Sequence, residues 1–280
     1  MSEAGVGTPL RRVEDARLVT GQGQYADDIR LDGMLHAAFV RSPEAHARIV
    51  SIDDSEALAI DGVVGVFTAA DLGLDRPMPV AHPHPLLTEA RTAEALATDE
   101  VCHAGQAVVV VVATDRYAAA DGADAVWVEY DTLPAVADVM RASEPDAPQV
   151  HADLSTNVMA AMPVRWGDSD DAFDRAHAVV RSKLRQHRGA CLSMETRGVV
   201  ASEIDGRLTV WSSTQSIALL RRLLSQYLGL SDIRVIAPDV GGGFGPKGNV
   251  YPEEYVIAAL ALNLGAPVKW IETRREHLLT

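Results

Sequence analysis

Gln106-Ala-Val-Val-Val-Val-Val-Ala113 constrains the fold of this chain more than any other stretch. β-Branched side chains are stiff at χ1 and suit extended backbone. A strand with one face in water alternates apolar and polar residues. An unbroken apolar run predicts a strand covered on both faces. Layers must then lie on either side of it. Asp115 follows as a helix cap, with Ala118, Ala119 and Ala123 as the apolar residues of that helix. Val126-Trp-Val-Glu-Tyr130 returns as an alternating strand.

The same reading extends along the chain. Residues 1–17 form an irregular arm, and Gly21 to Ile29 a loop. Leu35–Val40, Ala47–Ile52 and Val63–Phe67 read as strands, with short helical turns at Ser55–Ala59 and Ala69–Leu74. Residues 75–98, rich in proline and histidine, read as a long loop. Residues 136–160 lose periodicity and carry Ser143-Glu-Pro-Asp-Ala-Pro148, which is linker chemistry. A boundary there separates a first α/β unit, 18–135, from a second, 161–280. The second unit opens with a helix at Asp168–Ala176. Strands are expected at Ala178–Arg185, Gly198–Glu203 and Arg207–Ser213. Ile217, Leu220, Leu224 and Leu228 recur at helical spacing, with Gly229 as the stop. A further helix runs from Pro252 to Gly265, and Pro267–Ile271 is a strand, after which the chain closes at Thr280. This alternation is the α/β signature.

Composition excludes several functions. The net charge of −14 opposes binding to phosphate backbones, so no nucleic-acid partner is expected. Two cysteines, Cys102 and Cys191, are too few for a disulfide framework, and a reduced, cytoplasmic setting is expected. The start shows no basic head before an apolar core, as a signal peptide would. The longest apolar run, Ala107 to Ala113, is too short to span a bilayer, so no membrane partner is expected.

The chemistry concentrates in Asp239-Val-Gly-Gly-Gly-Phe-Gly-Pro-Lys247. Its glycines follow a strand-like segment, Ile233–Ala237, and precede the helix at Pro252. Bare backbone N–H groups at a sheet end can approach a ligand closely because no Cβ stands in the way. Three readings follow. Gly243, Gly245 and Gly248 satisfy G-x-G-x-x-G, a dinucleotide pattern, with Glu272 as a late candidate for the ribose. Pro238-Asp239 and Pro246 count against it. A phosphate loop fits worse, because Pro246 stands where a glycine should precede Lys247. The third reading is a purely structural turn.

Three ordered segments resemble the molybdopterin-binding large subunit of the xanthine dehydrogenase and aldehyde oxidase family, in particular the large-subunit relatives of aerobic carbon monoxide dehydrogenase. The first runs from Arg17-Leu-Val-Thr-Gly-Gln-Gly-Gln-Tyr-Ala-Asp-Asp28 through Leu35–Pro43 and Ala45-His-Ala-Arg48. The second is Met194-Glu-Thr-Arg-Gly198, leading through Val210-Trp211 to Ser213-Thr-Gln215. The third is the glycine run with Pro267-Val-Lys-Trp270 and Glu272-Thr-Arg-Arg-Glu276. The resemblance implies an α/β hammerhead domain followed by the first part of a molybdopterin-binding α/β domain. It implies hydroxylation of an aldehyde, a heteroaromatic ring or a similar small carbon substrate with oxygen from water. Electrons would pass to 2Fe-2S clusters and FAD on partner chains: an iron–sulfur small subunit and an FAD-binding medium subunit. Gln215, Gly242, Gly243, Phe244 and Gly245 are the implied cofactor contacts. The Gln215 side-chain amide and the Phe244 backbone amide face oxygen on the metal.

The departures matter too. Gly248 stands where some purine-acting members carry a glutamate after the lysine, which puts purine recognition in doubt. The family's general-base glutamate falls beyond the length available. The chain therefore reads as an amino-terminal portion, inactive alone, with a further chain completing the domain as a candidate partner. The rivals are a nicotinamide dehydrogenase domain and a non-catalytic fragment that docks partner subunits.

Other polar residues have plainer expectations. Glu195 and Arg197 read as a structural ion pair, and His82 and His84 as solvated loop histidines. His187 and Cys191, four apart, lack the further ligands a metal needs. Glu253 and Glu254 suit the positive end of a helix dipole. Trp211 and Trp270 read as core.

Overall fold

A computed structural model describes residues 7–9, 11–87, 91–187 and 189–280. The first half holds α1 (Asp15–Leu18), β1 (Leu35–Arg41), β2 (Ala47–Asp53), α2 (Ser55–Leu58), β3 (Val63–Phe67), β4 (Glu100–Val101), β5 (Ala107–Ala113), α3 (Arg116–Ala125) and β6 (Trp127–Thr132). The second holds α4 (Ser169–Asp174), β7 (Gly198–Ile204), β8 (Arg207–Ser212), α5 (Ile217–Leu228), β9 (Ile233–Ile236), α6 (Pro252–Leu264), β10 (Val268–Ile271) and α7 (Arg274–Leu279).

The valine run is β5, and all seven of its residues are buried. Val110 and Val112 join one core with Phe39, Tyr255 and Trp270; Val109 and Val111 join another with Ala47, Val101 and Val126. Alternate side chains of a strand point to opposite faces, so both layers are needed to bury the run. Asp115 caps α3, its carboxylate accepting from the N–H groups of Tyr117 and Ala118. Gly122 lets α3 lie close on β5: a Cβ there would stand 2.8 Å from Val111 Cγ1.

β5 belongs to a seven-stranded sheet of order β3-β5-β1-β10-β7-β8-β9, beside a three-stranded sheet of order β4-β2-β6. The large sheet draws strands from both halves of the chain. They join where β1 pairs in parallel with β10, Leu35 opposite Val268 and His36 opposite Lys269. β7 and β8 form an antiparallel hairpin. Its turn has Asp205 at φ 52° and Gly206 at φ 75°, the backbone a two-residue hairpin loop requires. α6 packs on the centre of the sheet with nine buried residues, two glutamates in its first turn and then an apolar run from Tyr255 to Ala261. α5 packs beside it over β9 and ends, as its sequence predicts, at Gly229 in the left-handed region. Trp270 is core, edge-on to Phe39 with ring centres 5.5 Å apart; Trp211 is half-buried.

Three expectations need correction. Ala178–Arg185 is not a strand; its residues are exposed. A strand needs a neighbouring edge, and nothing in the described chain offers one there. Ala69–Leu74 is a set of turns, pinned by Asp71 accepting from the Thr68 N–H and hydroxyl. β10 is followed by one more helix, α7, capped by Thr273. Residues 1–6 and 10 of the arm and 88–90 of the long loop lie outside the described residues.

Candidate cofactor site

β9 delivers the chain to Asp239, which is held by the Arg17 guanidinium and the Gln24 N–H. The glycine run then turns sharply: Gly242, Phe244 and Gly245 have φ of 98°, 53° and 101°. Phe244 is the only one of the three with a Cβ, and φ near 50° is uncommon for such a residue. Its side chain projects outward, 68% exposed.

Gln215 meets this turn from the end of β8. Its N–H donates to the Lys247 carbonyl at 2.8 Å. Its Oε1 accepts from the Gly245 N–H at 3.1 Å. An N–H cannot accept, so the carboxamide must present oxygen there, and its NH2 remains as the outward donor. Gly243 is packed against the same side chain: a Cβ would lie 2.4 Å from Gln215 Cδ. The structure therefore brings together Gln215, Gly242, Gly243, Phe244 and Gly245. Among the described residues, the N–H groups of Gly242, Gly243 and Phe244 donate to no protein acceptor. Donors without acceptors, free of ionisable side chains and backed by a glycine contact that any Cβ would fill, fit an anionic oxygen of a bound cofactor.

Both ends of the turn are anchored to one carboxylate. Glu195 Oε2 accepts from the Gly241 N–H at 2.7 Å and from Lys247 Nζ at 2.8 Å. The Lys247 side chain is wholly buried. This corrects the pairing expected from sequence: Glu195 pairs with Lys247, while Arg197 turns to Glu253 and Glu272, with N–O distances of 2.8 and 2.7 Å. Both residue types were visible in the sequence, but partners 52 to 75 residues apart carry no local signal.

Glu253 and Glu254 are also more than dipole partners. Both are buried. Burial alone would raise Glu253, but Arg197 and Arg41 outweigh it and hold its carboxyl at about 2. Burial pushes Glu254 up to about 7; it accepts from the Tyr251 N–H at 2.8 Å and faces the Ser212 hydroxyl.

The dinucleotide geometry is not met. Pro246–Gly248 form one turn of 3-10 helix, and α6 starts only at Pro252, so no helix N-terminus rises from the glycines. Glu272 is buried and committed to Arg197 and His277. His82, His84, His187 and Cys191 are exposed. Among the described residues no cluster of three or more His, Cys, Asp or Glu side chains could hold a metal. Burial and the neighbouring Glu100 push the Cys102 thiol up to about 11, so it is no nucleophile. No helix among the described residues is long and apolar enough to cross a membrane.

Residues 20–134 match the aldehyde oxidase and xanthine dehydrogenase a/b hammerhead domain, and residues 150–280 match the molybdopterin cofactor-binding domain. The chain belongs to the xanthine dehydrogenase and aldehyde oxidase family. It corresponds to the amino-terminal portion of that family's molybdopterin-binding large subunit. The carbon monoxide dehydrogenase large chain of Afipia carboxidovorans is 42% identical, the match covering 99% of this chain and 36% of that protein. The nicotine 6-hydroxylase large subunit of Paenarthrobacter nicotinovorans is also 42% identical, over 98% of this chain and 34% of its own. Among solved structures, quinoline 2-oxidoreductase from Pseudomonas putida 86 superposes with a TM-score of 0.88 at 38% identity, over 97% of this chain and 35% of that one. The chain thus spans about a third of the length of the relatives it matches.

Proposed function

We propose that this chain is the hammerhead and first cofactor-binding portion of a molybdenum hydroxylase, an oxidoreductase acting on an aldehyde, a heteroaromatic ring or a similar small carbon substrate. The observation that carries this reading is the seating of the Gln215 carboxamide on the Gly243–Gly245 turn. That contact fixes a side-chain NH2 beside a set of free backbone N–H groups. When bound, the molybdopterin cofactor supplies the redox-active metal and the oxygen delivered to carbon. Gln215 and the N–H groups of Gly242, Gly243 and Phe244 would hold an oxygen of that cofactor by donation. They would need no reorganisation to stabilise negative charge there, because strand end and turn already fix them. Gln215 and the residues Gly242–Gly245 carry no ionisable side chain, and the nearest carboxylate, Glu195, is engaged by Gly241 and Lys247, so this reading takes the general base from outside the donor set. A completing chain, an iron–sulfur small subunit and an FAD-binding medium subunit are the partners this reading requires, in a cytoplasmic complex.

The test is a complex of this chain with polypeptide completing the cofactor domain and with the two electron-transfer subunits. Gln215→Ala should lower kcat for hydroxylation about 10²-fold, the cost of one lost oxyanion donor, with molybdenum content retained. An unchanged kcat removes Gln215 from the site. Saturable NAD(H) binding by the chain alone would favour the dinucleotide reading instead. Co-purification of the partner subunits with no molybdenum would favour a docking role.

A further inference from the structure

We propose that Glu195 is a positioning residue: its carboxylate clamps the two ends of the Gly241–Lys247 turn and thereby sets where the Phe244 and Gly245 N–H groups point. This rests on the function proposed above, and it deepens it by naming what holds the donor turn in shape.

The case begins with connectivity. Glycines give the turn close approach at the expense of stiffness, since they bring no side chains to hold it. Something outside must fix it. Glu195 does so through three contacts, and a fourth ties it to the segment before β1. Its N–H donates to the Gly241 carbonyl at 3.2 Å, and the Gly241 N–H returns to Oε2 at 2.7 Å. The same Oε2 accepts from Lys247 Nζ at 2.8 Å. Oε1 faces the Ala26 N–H at 3.4 Å, tying in the segment before β1. Gly241 has no room for any other residue: a Cβ would stand 2.5 Å from Glu195 Cβ. One oxygen atom thus bridges the first and last residues of the turn.

The Lys247 end has a second tie. Its carbonyl accepts from the Gln215 N–H, and Gln215 Oε1 accepts from the Gly245 N–H. Glu195 touches neither Gln215 nor Gly245. Yet it fixes both ends of the segment on which their contact depends. The Lys247 ammonium is wholly buried, so its partner cannot be replaced by water. Its burial makes the clamp stiff: a surface ion pair would exchange partners with solvent and hold nothing.

The experiment uses the full 280-residue chain, labelled with 15N-glycine, and reads amide hydrogen exchange by NMR. In Glu195→Gln, exchange at Gly241 should rise because a direct bond weakens. The deciding reporter is Gly245, whose acceptor is untouched by the substitution. Its exchange should rise about tenfold, as expected for a hydrogen bond destabilised by about 1.4 kcal/mol. Gly198, within β7, is the control and should not move. Glu195→Gln combined with Lys247→Met removes the stranded buried charge and should restore the melting temperature, while Gly245 exchange stays elevated. That separates positioning from stability. In the assembled, molybdenum-loaded complex, Glu195→Gln should also shift the Mo(V) electron paramagnetic resonance signal. Unchanged Gly245 exchange overturns the clamp, and so does an unshifted signal from a fully loaded complex. A wild-type complex that takes up no molybdenum would count against the function proposed above; the clamp then stands or falls on Gly245 exchange alone.

Discussion

At the scale of single residues, buried charge is the main determinant. Arg197 is stacked 3.9 Å over the Tyr251 ring and serves two buried carboxylates, Glu253 and Glu272. Arg197→Met would leave both without their shared cation, costing about 3–5 kcal/mol in chemical denaturation. A loss below about 1 kcal/mol would show that Arg41 and His277 suffice. Glu254 makes a prediction in pH. Burial raises it from 4.5 to about 7, so the folded chain keeps a proton that the unfolded chain has released. Its contribution to stability is complete below about pH 4.5 and is lost as pH rises through about 7. Glu254→Gln, which mimics the neutral acid, should flatten the fall in melting temperature between pH 5 and 7.5. Equal slopes for both proteins would refute this. Glu253 has the opposite sign. Its contribution is present above 4.5 and lost as pH falls through about 2.

At the scale of elements, the donor turn depends on Gly243 as much as on Gln215. Gly243→Ala would place a methyl group where the Gln215 carboxamide lies. Gln215 must then move, breaking its contact with the Gly245 N–H. In the assembled enzyme kcat should fall about 10²-fold, matching Gln215→Ala, and the double variant should be no worse than either single one. Additive losses would mean that the two residues act separately. Most of this element was legible beforehand. Glycines after a strand predict a turn with exposed amides, and Gln215 lies at the end of the preceding hairpin. The anchor was not legible. Glu195 reads from sequence as a neighbour of Arg197, and only the folded chain sets it beside Gly241 and Lys247.

At the scale of the whole molecule, the portion spans about a third of its relatives, and its surface fits an unfinished assembly. Between the linker and β7 lies a long segment with exposed Val164, Trp166, Val180 and Leu184, the last two 87% and 92% exposed. Large apolar side chains exposed along one segment promote association. The chain alone should self-associate in sedimentation measurements, and Val180→Lys with Leu184→Lys should suppress it. Persistence in that variant would place the contact elsewhere. Supplied with molybdopterin cofactor, the isolated chain should give no hydroxylation; measurable turnover would place a general base within these 280 residues.

The sequence determined the local features: which stretches are strands or helices, where Asp115 and Gly229 end them, and where bare amides accumulate. Those follow from side-chain periodicity and backbone preference, which act over a few residues. Tertiary structure decided the rest. It merged two apparent units into one sheet through β1 and β10, denied Ala178–Arg185 a partner edge, and chose the counter-ion of each buried charge. Such choices depend on which groups are excluded from water together, and that is fixed only when distant segments pack.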